Sequence, residues 1–135
     1  MRFAAALAWT ALVLWLGSAA FGAEQTGSVL RPVLRAVAVV TGLGLSEVHT
    51  LLRKAVHFTE YAVLAALWFF ALAGRRRVVA ASWMALSIAL ACAVLDEGHQ
   101  SALSNRTGSA RDVVIDASGA VVALSIVRRR REAVG

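Results

Sequence analysis

The sequence has one cysteine and one proline in 135 residues. Lone Cys92 sits inside an apolar run, which rules out an internal disulfide and is silent on redox compartment. There is no Ser/Pro-rich linker, no low-complexity tract and no internal repeat, so the chain reads as one domain over 1–135. Charge is scarce, with 16% of residues Asp, Glu, Lys or Arg. No glycine-rich phosphate loop, dinucleotide fingerprint, GxSxG elbow or nucleic-acid module occurs. Neither a cofactor nor a nucleic-acid partner is therefore expected.

Apolar residues are abundant. They make up 59% of the chain, and mean hydropathy is +0.70. That is too apolar for a soluble domain of this length. A net charge of +6 would point to nucleic acid in a soluble protein. Here the arginines bracket apolar segments, and membrane topology explains them better.

Four such segments lie at about 3–23, 55–73, 78–95 and 112–127. The first carries no charge and is long enough to cross about 30 Å of hydrocarbon at about 1.5 Å per residue. The second contains His57 and Glu60. The third is uncharged and short for a span. The fourth is shorter still, contains Asp116, and its helix is expected to begin at or before Asp112. The expected fold is all-α: a polytopic four-helix transmembrane bundle.

Arg2, Arg75, Arg76, Arg77 and the four arginines at 128–131 hold eight of the 14 basic residues. They precede span one, separate spans two and three, and follow span four. With these sites cytoplasmic, both termini are inside. The connections 24–54 and 96–112 then lie outside. A cleavable signal peptide is the competing reading of the N-terminus, but the run is long for one and Phe21 sits poorly for cleavage after Ala23. Within the long connection, VLRPVLRAVAVVTGLGL reads as a short interfacial helix ending near Gly42 and Gly44. Ser46 is then the expected N-cap of the helix entering span two.

The polar residues of RKAVHFTEY need an explanation. Lys54, His57 and Tyr61 share a helical face, with Glu60 one turn from His57. A snorkelling lysine and an aromatic belt account for Lys54 and Tyr61. They do not account for His57 and Glu60, since an ionisable group at membrane depth costs roughly 2.5 kcal/mol or more unless paired or hydrated. In LDEGHQSALSNRTGSARDVVID, Glu97 and Gln100 share a face if the helix runs on past Asp96. Asp112 and Asp116 share one at the start of the fourth span. The helix dipole explains Asp112. Asp116 is a turn deeper and needs a partner among Arg106, Arg111, Lys54 and His57. Topology brings all these groups to one outer end of the bundle, and polar groups on facing helices are how bundles build sites.

These two blocks resemble the VanZ-like family of bacterial membrane proteins. That family has an Arg-Lys-x-x-His-Phe-x-Glu-Tyr block, matched by Arg53, Lys54, His57, Phe58, Glu60 and Tyr61. Its second block is Asp-Glu-x-x-Gln, an Arg, and Asp-x-x-x-Asp followed by Gly, matched by Asp96, Glu97, Gln100, Arg106, Asp112, Asp116 and Gly119. The match is strongest over 46–127, and Asn105 departs from a Gly common in relatives. The resemblance implies a multi-pass protein of the bacterial cytoplasmic membrane and cell envelope, and no particular reaction. The family's namesake is associated with resistance to the glycopeptide teicoplanin, a phenotype the shared pattern does not assign to this chain.

The functional expectation is an outer-facing polar site for an envelope lipid or a lipid-linked anionic precursor. Lys54, Tyr61, Gln100, Arg106, Arg111, Asp112 and Asp116 would contact the ligand, with cations holding a phosphate. Two alternatives stay open. In one, His57, Glu60 and Glu97 act as general acid or base on such a lipid. In the other, the chain is a small transporter, although nothing polar continues toward the cytoplasmic half. His57-x-x-Glu60, with Glu97, His99 and Asp112, offers nitrogen and oxygen donors. It is not HExxH and has no cysteine set, so no metal site is assigned.

Overall fold

The computed structural model describes residues 1–17, 23–74, 77–102 and 109–133, with side chains described outside 23–30. The described residues form five helices and no strand: α1 (Arg2–Leu16), α2 (Ala23–Thr41), α3 (Leu45–Leu72), α4 (Val78–Ser101) and α5 (Ala110–Glu132). The all-α expectation holds.

Two of these helices, α3 and α4, are long and apolar enough to cross a membrane. Their 28 and 24 residues give lengths of about 42 and 36 Å. The other two expected spans are less clear-cut. Helix α1 has 15 residues and ends at Leu16, about 22 Å against roughly 30 Å of hydrocarbon; residues 18–22 of the expected span lie outside the described set. Helix α5 is 23 residues long, but it carries Arg111, Asp112 and Asp116 at one end and arginines 128–131 at the other.

Helix α2 ends at Gly42, whose φ of 71° reverses the chain at little cost because glycine has no Cβ. Helix α3 then starts two residues before the position expected from Ser46. Gly44 is its N-cap, and the Gly44 N–H donates to Glu47 Oε2 at 2.9 Å. Glu47, in the first turn, both satisfies that donor and complements the helix dipole.

Cross-helix contacts fix the directions. Arg53 pairs with Asp112 and His57 with Asp116, both at a separation of 59 residues. A constant offset over one turn means that α3 and α5 run parallel. The α4–α5 contact is antiparallel, since Glu97 near the end of α4 meets Ser109 at the start of α5. Helix α1 is antiparallel to α3: Trp9 Nε1 donates to the Glu60 carbonyl (3.1 Å), and Phe3 packs edge-on to Trp68 (6.3 Å). Thus α1, α3, α4 and α5 alternate in direction. Helix α2 lies against α3.

The packing is inverted relative to a soluble protein. Helix α4 buries Ala81, Ala85, Ala89 and Ala93 at every fourth position, and exposes Val79, Trp83, Met84, Leu90, Val94 and Leu95. A helix with small residues inward and large apolar ones outward suits lipid, where close backbone approach drives association. In water it would be an aggregation surface. Gly119 of α5 extends the theme. A Cβ there would collide with the Phe58 carbonyl of α3, so glycine is what lets these two helices meet backbone to backbone. Tyr61, Leu64, Ala65 and Phe69 fill the centre with Val13, Ala120 and Leu124. Tyr61 is fully buried, so it belongs to the core and not to an interfacial belt.

Candidate functional site

All four buried polar or charged residues among those described, Asp96, Glu97, Gln100 and Asp116, lie at one end of the bundle, where α4 ends and α5 begins. The alanine face of α4 continues directly into them. Positions 81, 85, 89 and 93 are followed one turn later by Glu97, flanked by Asp96 and Gln100. Helix α4 meets the condition under which Glu97 and Gln100 share a face. It runs on to Ser101 because its acids are enclosed by neighbouring helices. His99 accordingly lies on α4, exposed.

Two rungs join α3 to α5. Arg53 Nη2 donates to Asp112 Oδ2 at 3.0 Å, with side chains 37% and 14% exposed. One turn deeper, His57 Nδ1 lies 3.2 Å from Asp116 Oδ1, with side chains 13% and 0% exposed. Asp116 thus finds its partner in His57 rather than in Arg111 or Lys54. The imidazole reaches across the helix interface to Asp116 and not along its own helix to Glu60, which is half-buried. Helix α4 adds a third connection: Glu97 Oε2 accepts from the Ser109 backbone N–H at 2.7 Å. Ser109 is the N-cap of α5, and its Oγ accepts from the Arg111 N–H at 3.1 Å. Glu97 therefore anchors the residue that starts α5. Gln100 Nε2 donates to Asp96 Oδ2 at 3.0 Å within α4. The Gly17 end of α1 closes over Asp96 so tightly that a Cβ on Gly17 would strike its carboxylate.

The structure brings His57, Glu97, Asp112 and Asp116 together, with Gln100 beside Asp96. Lys54 is half-buried near the Arg53 rung, and Arg111 is exposed at the rim. Arg106 lies outside the described residues. Arg53 and Asp96 match the family pattern without standing among the expected site residues, yet both lie at this end. The missed signal for Arg53 was spacing: Arg53 and His57 are four apart, as are Asp112 and Asp116, and two parallel helices in register pair both at once.

Satisfaction is incomplete. Tyr61 Oη, Glu97 Oε1, Gln100 Oε1 and Asp116 Oδ2 are buried without a hydrogen-bond partner. Each such atom costs about 1–3 kcal/mol. A purely structural network would be expected to use them. The depression lined by Leu43, Ser46, Glu47, Thr50 and Leu51 near the α2–α3 turn is separate, and its one carboxylate already holds the Gly44 N–H.

These observations define a class: an all-α membrane protein with apolar helices of membrane-spanning length and a buried polar cluster at one bundle end. Within that class the assignment is specific. The VanZ/LLP1 family profile matches residues 3–131 of the 135, and the chain belongs to that family. Comparison with curated proteins and with solved structures finds no match.

Proposed function

We propose that the chain is a single-domain, four-span protein of the bacterial cytoplasmic membrane whose polar end faces outward and binds the anionic head group of an envelope lipid or lipid-linked precursor. The observation that carries this reading is the set of enclosed, incompletely partnered polar atoms at one end of an otherwise apolar bundle. Cations stand at the rim: Arg53, Lys54 and Arg111. Arginines suit phosphate because the guanidinium fork donates two parallel hydrogen bonds. Positive charge at the opposite end, from Arg2, Arg77 and residues 128–131, supports a cytoplasmic placement of both termini. The alternating helix directions accord with α1 and α5 as spans one and four.

A polyprenyl pyrophosphate titrated against the purified chain in nanodiscs tests the binding reading. Binding that weakens at least tenfold in Arg53→Ala/Arg111→Ala, with the uncharged polyprenol ignored, is the expected result. Equal retention of polyprenol and pyrophosphate would sink it.

A second reading, intramembrane acid–base catalysis, is favoured by one contact. His57 is oriented by Asp116, the relation that a general base needs to hold its tautomer. Turnover of a lipid-linked precursor by wild type, lost in His57→Ala, separates it from binding alone.

A further inference from the structure

We propose that His57, Glu97 and Asp116 form a binding site for one divalent transition-metal cation, Zn2+ or Mn2+. The site goes beyond the head-group reading and stands without it.

Three helices supply the donors: His57 from α3, Glu97 from α4 and Asp116 from α5. One donor atom from each lies within 4.8 Å of the other two. Donors bound about 2.1 Å from a tetrahedral ion sit about 3.4 Å apart, so the three stand at most about 1.4 Å wider than a bound ion needs. An imidazole with two carboxylates is a mixed nitrogen and oxygen set, suited to Zn2+ or Mn2+ better than to Ca2+ or Mg2+, which take oxygen.

Burial and charge point the same way. Asp116 is 0% and Glu97 5% exposed, and each keeps one carboxylate oxygen unpartnered: Asp116 Oδ2 and Glu97 Oε1. Asp96 adds a third buried acid at this end. Among the described residues, His57 is a cationisable side chain in contact with the cluster, while Arg53 is engaged by Asp112. Enclosed carboxylates are expensive unless their charge is compensated. A divalent ion would offset two of them and could be ligated by the unpartnered oxygens. It would also explain how an acid-rich end attracts an anionic lipid. Three protein ligands leave a coordination position open, and a phosphate oxygen fits it.

The sequence offers other donors beside His57 and Glu97 and assigns no site. Glu60, His99 and Asp112 are not members, since His99 is exposed and Asp112 is held by Arg53. Asp116 takes their place because the parallel α3–α5 register puts it opposite His57.

The test uses the full chain in detergent, purified by a tag without histidine and freed of lipid-linked ligands. It is stripped with chelator and equilibrated with Zn2+ alone or Mn2+ alone. One equivalent of either ion should be retained by wild type and by His99→Ala. Affinity should fall at least tenfold in His57→Ala, Glu97→Gln and Asp116→Asn. Glu97→Gln retains an acceptor for the Ser109 N–H, so its folding is preserved and checked by size exclusion. A second measurement needs no variant: pulsed EPR of Mn2+-loaded wild type should show coupling to one imidazole nitrogen. Retention of neither ion by wild type, unchanged affinity in all three variants, or no nitrogen coupling would overturn the proposal. Because no lipid is present, its failure would leave the head-group reading to its own titration.

Discussion

The two ends of the bundle carry charge in opposite ways. At the arginine end, residues 128–131 are exposed, and Arg128 pairs with Glu132 on its own helix at 2.7 Å, both about half exposed. At the other end, Asp96, Glu97, Gln100 and Asp116 are buried, and the contacts of Glu97 and Asp116 run between helices. Exposed charge near a membrane surface costs little and orients the chain. Enclosed charge is costly, and it remains where packing holds it or a ligand uses it. On the proposed reading, the positive residues set topology and the buried polar ones hold a ligand.

Substitutions that break this contrast should rank by enclosure. The largest effect belongs to Gly119→Leu. Its side chain would meet the Phe58 backbone, which cannot yield as a flexible side chain does. A loss of about 3 kcal/mol or more is expected, read as failure to accumulate as a monodisperse species in detergent. Asp116→Ala comes next. It leaves the largely buried His57 without its partner, at a cost of about 3 kcal/mol, seen as a lowered thermal midpoint in chelator-treated protein. Asp116→Asn should recover most of that loss.

Arg53→Ala should cost about 1 kcal/mol or less, because its side chain is 37% exposed and solvent screens the pair. A double-mutant cycle with Asp112→Ala measures the coupling. A value above about 2 kcal/mol would move this rung into the enclosed class. The smallest effect is expected for Arg128→Ala, within about 0.5 kcal/mol, since an exposed i,i+4 pair contributes little. A loss there matching that of Asp116→Ala would erase the contrast.

Much of this arrangement was legible in the residues. The apolar runs marked α3 and α4, and the turn at Gly42 and Gly44 marked the end of α2. Ionisable side chains in RKAVHFTEY and in the Asp112/Asp116 pair pointed to the polar end of the bundle. What stayed hidden depended on neighbours. Asp96 reads as the solvated end of an apolar run; here it is buried, with the Gly17 end of α1 closed over it. Tyr61 reads as a belt residue because its hydroxyl suits an interface, yet α5 packs over it. Ser46 lost the N-cap to Gly44 because the Glu47 side chain caps that end instead. The register of α3 on α5 needed only the repeated spacing of four, but a sequence does not say whether two helices run parallel.

The contrast between the ends can be measured on one ligand. Two triple variants, Arg53→Ala/Lys54→Ala/Arg111→Ala at the site end and Arg129→Ala/Arg130→Ala/Arg131→Ala at the other, remove equal charge. Each is titrated with polyprenyl pyrophosphate in nanodiscs beside wild type. The account predicts at least a tenfold loss of affinity for the first and less than twofold for the second. Equal losses would contradict it, because binding would then follow net charge and not the enclosed polar end.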